Sequence, residues 1–219
     1  MTSRTQIDKL GEELRNAVLN IQPLDVSSLD DFRSSFTAAA NEIKFELNRV
    51  DLFDYTERTK STPSICAKLV RQRLTRLSQV QDIVGLRLVA DDLAQQDKLI
   101  NRLSGIFASV KPIDRRATPT FGYRAMHLIV TIAEKQIEIQ VRSYPQHLWA
   151  QFSEMMADKA GQELKYGGGD PRLSQFLTKL SDRTNEYESY LQANDILPSR
   201  QAMADEFNRW SDTYKAQSQ

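Results

Sequence analysis

Ile83-Val84-Gly85-Leu86-Arg87-Leu88-Val89-Ala90 is a near-continuous apolar run, interrupted only by Gly85 and Arg87. A run of that length, rich in branched side chains, reads as a buried strand. Working outward, residues 92–108 return to helical period through Leu93, Leu99, Ile100, Leu103 and Phe107. Two further strand-like runs follow, 125–132 and 137–141, joined by Ala133-Glu134-Lys135-Gln136 as a hairpin. The segment 144–160 reads as helix, and Gly167-Gly168-Gly169 breaks the chain. Two polar helices close it, the first with Leu173, Phe176, Leu177 and Leu180 on one face.

Upstream, Ile7, Leu10, Leu14 and Val18 recur at helical spacing until Pro23. Ser28 and Asp31 form a capping-box-like start to a second helix, with Phe32, Phe36, Ala39, Ile43, Leu47 and Val50 on one face. Residues 51–62 read as a polar connector. Thr62-Pro63 reads as an N-cap with Pro at the first helical position, opening a short basic helix to about Arg76. The expected fold is α+β: a mixed sheet of about five strands flanked by helices, with helical extensions at both ends. The expected division is 1–50, 51–169 and 170–219.

Composition sets limits. The chain has 219 residues, 40% hydrophobic and 26% charged, enough apolar content to bury a core and too much for wholesale disorder. One cysteine, Cys66, excludes a disulfide framework and a multi-cysteine zinc site, and two histidines leave no His-rich metal cluster. No apolar run approaches the roughly 20 residues that span a bilayer, and Met1-Thr2-Ser3-Arg4 is unlike a signal peptide. A cytoplasmic protein without membrane partners is expected. The net charge is zero, but unevenly spread. Residues 1–50 and 170–219 each hold six basic and eight acidic side chains, whereas 51–169 hold seventeen and thirteen. The excess is sharpest between Arg58 and Arg76. That disfavours broad coating of nucleic acid and leaves room for a local polyanion cradle.

The chemistry-bearing residues lie in this centre. Ser64, Lys68 and Arg71 fall at i, i+4 and i+7 and share a helix face. Arg58 and Lys60 precede that helix's start, where backbone N–H groups already favour an anion. Cations and a hydroxyl converging there suit a polyphosphate, although a solvated basic face has the same composition. Asp82 precedes the apolar strand beside the cationic helix, a place from which to hold Mg²⁺ against phosphate oxygens. Arg87, costly inside an apolar strand unless engaged, can stack on a purine or pair with Asp82. Gly122-Tyr123-Arg124-Ala125-Met126-His127 puts Tyr123 and His127 on one side of the next strand, to contact a base and a phosphate or ribose. Glu138-Ile139-Gln140-Val141-Arg142 alternates, with Glu138, Gln140 and Arg142 on one face. Glu138 is a second Mg²⁺ ligand or a base toward a hydroxyl. A half-buried aromatic strand and a solvent-facing strand would also fit these two patterns. His147-Leu148-Trp149-Ala150 opens the following helix.

Taken in order, these blocks resemble the RelA/SpoT family of nucleotide pyrophosphokinases, in particular its small alarmone synthetases. The matching residues are Arg58-Thr59-Lys60-Ser61-Thr62-Pro63-Ser64 with Lys68 and Arg71, Asp82 to Arg87, Gly122 to His127, Glu138 to Arg142, and His147 to Ala150. The resemblance covers roughly residues 55–166. It implies transfer of the β,γ-pyrophosphate of ATP to the 3′-hydroxyl of GDP or GTP. It implies that Arg58 and Arg87 sandwich the adenine, that Lys60, Ser64, Lys68 and Arg71 hold the phosphates, and that Asp82 and Glu138 bind Mg²⁺, with Glu138 also activating the 3′-hydroxyl. On the acceptor side it places Tyr123 on the base and His127 at phosphate or ribose, with Arg124 beside them. The length and the two histidines imply synthesis without a hydrolase domain. Many members carry Lys-Pro-Asn where this chain has Pro119-Thr120-Phe121; Arg115 and Arg116 are the cations that could replace the missing lysine. That departure keeps open a toxin that pyrophosphorylates the 3′ end of tRNA, or adenosine nucleotides, and is neutralised by an antitoxin. A catalytically dead nucleotide-binding module is the third alternative. Small members of the family are often homo-oligomers.

Overall fold

The computed structural model describes residues 3–23, 26–52 and 54–217; Met1 and Thr2 of the polar N-terminus, with Leu24, Asp25, Phe53, Ser218 and Gln219, lie outside the described residues. The strands are β1 (Tyr55–Thr59), β2 (Val84–Ala90), β3 (Val110–Asp114), β4 (Met126–Ile132) and β5 (Lys135–Ser143). They form one mixed five-stranded sheet in the order β1-β2-β5-β4-β3. The helices are α1 (Arg4–Leu19), α2 (Ser27–Ser34), α3 (Thr37–Arg49), α4 (Thr62–Arg71), α5 (Leu93–Ile106), α6 (Tyr144–Ala160), α7 (Pro171–Ala193) and α8 (Arg200–Gln217). Among the described residues, no helix is long and apolar enough to cross a membrane. The chain falls into two compact units, residues 1–87 with 129–139, and residues 88–128 with 140–219.

The apolar run at 83–90 is the strand β2, but its two faces differ. Val84, Leu86, Leu88 and Ala90 are buried, while Gly85, Arg87 and Val89 are half-buried. β5 behaves alike: Ile137, Ile139 and Val141 are fully buried, and Glu138 and Gln140 lie on the more open face. The period of two thus sorts core from chemistry. The hairpin between β4 and β5 turns on two residues rather than four: Ala133 and Glu134 both take positive φ, 46° and 64°. That is the pattern of the tight turns whose twist matches paired strands.

In the first unit, Leu29, Ile43, Leu47, Ile65, Leu69, Leu77 and Ile83 are fully buried. Arg15 of α1 ties α4 down, donating to the Leu69 carbonyl at 2.9 Å and the Thr75 carbonyl at 2.8 Å. Carbonyls at a helix end have no partner within the helix, so a cation there satisfies them and complements the dipole. The single helix expected from Ser28 to Val50 is instead α2 and α3, broken at Ser35 and Phe36. α2 has no side-chain cap, so the expected Ser28–Asp31 box is absent. Ser35 Oγ donates back to the Phe32 carbonyl at 2.6 Å, a bond that bends helices. Lys135 Nζ bonds Ser35 Oγ at 2.8 Å and lies 4.7 Å from the centre of the Phe36 ring.

Further corrections concern local ends. Ser61, not Thr62, caps α4, with Pro63 in the second helical position, and α4 ends at Arg71, not near Arg76. Residues 55–59, read as connector, form β1. β3 was also unread. In the second unit the core gathers Trp149, Phe152, Phe176, Leu177, Leu180 and Phe207 from α6, α7 and α8. Ser143 caps α6 with a reciprocal bond from Gln146, so the helix begins where the sequence places it.

Candidate active site

The residues expected to hold ATP belong to the first unit. Lys60 follows β1, and its backbone N–H donates to the Ile83 carbonyl at 2.9 Å. Its ammonium donates to Asp82 Oδ2 at 2.7 Å, and Lys68 from α4 donates to Asp82 Oδ1 at 2.8 Å. Asp82 therefore pairs with both lysines, where one reading of the sequence paired it with Arg87. All three side chains are a quarter exposed or less. Burial alone would raise the Asp82 pKa; the charges of Lys68 and Lys60 and their hydrogen bonds outweigh it and hold the carboxyl at about 2.

Ser64 stands at the third position of α4. Its backbone N–H donates to the capping Ser61 Oγ at 3.4 Å, and Ser61 Oγ donates to Ser64 Oγ at 2.9 Å. A residue the sequence did not single out secures this corner. Arg33 of α2 donates to the Lys60 carbonyl at 3.1 Å and to Thr62 Oγ1 at 2.6 Å, and pairs with Asp30. Arg58 is exposed on β1 and Arg71 is exposed at the end of α4. Cys66 is buried, which pushes its thiol pKa up, as suits a small filler.

Glu138 lies across from Gly85 in the same unit. A Cβ on Gly85 would sit 2.9 Å from the Glu138 carbonyl oxygen. Gly85 thus lets two backbones approach and leaves the face beside Glu138 clear. Gly85→Ala is expected to cost about 1–3 kcal/mol by overpacking and to lower turnover by moving Glu138. A thermal melt and a transfer assay on the variant check both. Asp82 and Glu138 are hard oxygen donors, and among the described residues no group of three or more His, Cys, Asp or Glu gathers to hold a metal alone. That set fits Mg²⁺, which binds through one or two carboxylates and completes its shell with substrate phosphate and water.

The residues expected on the acceptor side belong to the second unit. Tyr123 and His127 come together: the hydroxyl lies 2.9 Å from His127 Nε2, with the rings edge to face at 5.5 Å. Gly122, at φ 83°, makes the turn into this strand, and a Cβ there would strike Trp149 at 2.8 Å. Arg142 joins the cluster. It is 3% exposed, and Nη2 donates to the Tyr123 hydroxyl and to Gln140 Oε1, each at 3.0 Å. The alternation of β5 placed Arg142 beside Glu138 and Gln140, but only the structure brings it to Tyr123.

The other arginines expected on the acceptor side have partners within the fold. Arg116 pairs with Asp97 at 2.6 Å and Asp114 at 2.9 Å. Arg124 pairs with Asp182 at 3.0 Å, and donates to Ser181 Oγ and the Arg116 carbonyl. Arg115 donates to Thr120 Oγ1 at 3.1 Å. Beneath them lies Glu188 of α7, which accepts from the Ser143 hydroxyl that also caps α6. Burial pushes the Glu188 pKa up to about 7, against hydrogen bonds from Ser143 and Gln146 and the charges of Arg124 and Arg116.

A carboxyl whose folded pKa exceeds its unfolded value binds a proton on folding. Its stabilising contribution is full below the ordinary value near 4.5 and is lost as pH rises through about 7. Glu188→Gln, which is always neutral, should flatten the stability profile between pH 5 and about 8 and raise stability at the upper end by about 2–3 kcal/mol. Urea melts across that range check it. An unchanged slope contradicts the assignment.

Comparison with known proteins follows the same residues. The family described as "Region found in RelA / SpoT proteins" matches residues 57–163. Uncharacterized proteins of Mycobacterium tuberculosis and Mycobacterium bovis are 38% identical over 114 residues, 51% of this chain. That match spans only 42% of the length of those relatives. Among solved structures, the small alarmone synthetase 1 of Bacillus subtilis bound to its product pppGpp superposes with a TM-score of 0.61 at 20% identity, covering 78% of this chain and 97% of that one. The same synthetase bound to AMPCPP gives 0.50 at 18% identity, covering 76% and 97%. At such identities the likeness shows a shared fold. The ordered motifs and the matched region coincide, and residues 57–163 are similar to the region found in RelA/SpoT proteins.

Proposed function

We propose that the chain transfers the β,γ-pyrophosphate of ATP to the 3′-hydroxyl of a guanosine di- or triphosphate. The observation that carries this reading is the Lys60–Asp82–Lys68 pairing. One carboxylate faces both cations, leaving a net positive charge on the cluster. ATP phosphates offer both ammonium groups a stronger anion, and the released Asp82 carboxylate would be free to hold a metal ion. Arg33 keeps the Lys60–Thr62 backbone in place during that exchange. Ser64 presents a hydroxyl at the start of α4, where backbone N–H groups favour phosphate. Arg58 and Arg87 hold the adenine between their guanidinium planes.

On the acceptor side, Tyr123 stacks on the base and His127 contacts phosphate or ribose. Glu138 takes the 3′-hydroxyl proton as O3′ attacks the β-phosphorus. The O3′–Pβ bond forms, the bond from Pβ to the bridging α,β-oxygen breaks, and AMP leaves with that oxygen. Mg²⁺, held by Asp82 and Glu138, would neutralise charge on the moving phosphoryl oxygens. Binding and orientation then supply most of the rate, since the reaction needs no covalent intermediate on the protein. Purified protein given ATP and GDP should yield AMP and a 3′-pyrophosphorylated guanosine product in equal amounts. AMP without that product would contradict the acceptor assignment.

One observation favours a second acceptor class, the 3′ end of tRNA. Phe121 sits two residues before Tyr123 with φ 52°, and its side chain is half exposed where the family pattern has asparagine. An exposed aromatic there offers a second stacking surface for a neighbouring base. Against it, Arg116 and Arg124 are already paired with carboxylates rather than presented to a backbone.

A further inference from the structure

We propose that Arg142 is a positioning residue of the acceptor side, which fixes Tyr123 and His127 for nucleotide binding and does so at a cost in stability. The inference rests on the acceptor role proposed for Tyr123 and His127. Arg142 is 3% exposed, and among the described residues its partners are the Tyr123 hydroxyl, the Tyr123 ring and Gln140 Oε1. None of these carries a negative charge, and Arg142 Nε is buried with no partner. A buried guanidinium with neutral partners and an unmet N–H is unfavourable for folding compared with a well-packed apolar side chain. Packing therefore does not account for it.

The geometry does. The guanidinium carbon lies 5.1 Å from the centre of the Tyr123 ring, so the cation braces the ring from one side. Nη2 donates to the Tyr123 hydroxyl at 3.0 Å. The same hydroxyl lies 2.9 Å from His127 Nε2, so Tyr123 is held between Arg142 and His127. One buried cation thus fixes the ring orientation of Tyr123 and, through its hydroxyl, the place of the His127 ring. Gln140, which shares Nη2, anchors the guanidinium to β5.

Two substitutions test this. Arg142→Met removes the charge and the fork but keeps a flexible side chain of similar length. Arg142→Lys keeps the charge but cannot both brace the ring and reach the hydroxyl. Each is measured for thermal midpoint, for KM toward ATP and GDP separately, and for GDP affinity by calorimetry without ATP. The expected result is a rise of about tenfold or more in KM and Kd for GDP, the size of one lost charge-assisted hydrogen bond. KM for ATP stays within twofold, and the thermal midpoint of Arg142→Met is equal to or above that of the parent. Combining Arg142→Lys with Tyr123→Phe should give less than the product of the two single effects, since both break one contact. A lowered midpoint with both KM values moved alike makes Arg142 a plain structural residue and overturns the proposal, as does unchanged GDP affinity. If the parent binds GDP but transfers nothing, the proposed activity fails while the calorimetry still decides the role of Arg142. A parent that neither binds GDP nor turns over overturns both.

Discussion

Glu138→Gln loses transfer activity by about 10²–10⁴-fold, the span expected when a positioned general base is removed, while the thermal midpoint stays within a few degrees. The side chain lies on the half-buried face of β5, between the fully buried Ile137 and Ile139. The amide has the same shape and hydrogen-bonding reach as the carboxylate, so the strand and its hairpin persist. What disappears is the negative charge and the capacity to take the 3′-hydroxyl proton. KM for ATP should move little, because the contacts assigned to its phosphates come from Lys60, Ser64, Lys68 and Arg71. A loss confined to kcat marks an interaction made in the transition state. Retention of more than a tenth of the parent rate removes Glu138 from the role of base.

Asp82→Asn has the second large effect, on two observables in opposite directions. Lys60 and Lys68 lose the carboxylate that each now approaches at 2.7 and 2.8 Å. The Asp82 pKa, held at about 2 against an ordinary 3.8, makes that pairing worth about 2 kcal/mol. This contribution is present above pH 4 and lost as pH falls through about 2, so the variant should be less stable by that amount at neutral pH. Yet both ammonium groups are released toward phosphate. ATP binding without Mg²⁺ should therefore hold or tighten, while turnover with Mg²⁺ falls at least 10²-fold. Calorimetry with and without Mg²⁺, beside a urea melt, separates the effects. Equal weakening of ATP binding in both conditions would show that Asp82 serves only to hold the lysines.

The parts of the fold legible in the sequence are those whose burial alternates or repeats. Ile83 to Ala90 and Ile137 to Val141 announce interior strands because one face of each is sealed. The helix read over 144–160 is α6, and the local capping of Ser143 and Gln146 is what fixes its start. The two unread strands, β1 and β3, are the two edges of the sheet. β1 is exposed at four of its five positions, and β3 carries Pro112, which an edge tolerates. An edge strand is defined by its neighbour's backbone, which no side-chain period records. The break between α2 and α3 was hidden for the opposite reason. Phe32, Phe36 and Ile43 keep helical spacing across it, and the deciding contact, Lys135 to Ser35, comes from a hundred residues away.

The site divides the same way. Lys60, Lys68 and Asp82 were visible as charges in a run, but their mutual pairing required the fold. Arg33, in an amphipathic helix, carries no signal in the sequence, and Arg142 stands in a matching motif with no role assigned to it. Their importance comes from what they touch: the Lys60 carbonyl and Thr62 in one case, Tyr123 and Gln140 in the other. Arg116 and Arg124 show the converse. In the sequence Arg124 belongs to the acceptor motif and Arg116 stands in for a missing lysine; in the fold they pair with Asp97, Asp114 and Asp182.

The most direct measurement is a transfer assay with γ-labelled ATP and Mg²⁺, run separately against GDP, GTP, ADP and total tRNA. Label moving into a guanosine 3′-pyrophosphate, with one AMP released per transfer and at least about a hundredfold less in Glu138→Gln, is the expected result. Label in none of the four acceptors, from protein that binds ATP, contradicts a pyrophosphokinase; label in tRNA or ADP alone contradicts a guanosine nucleotide as its acceptor.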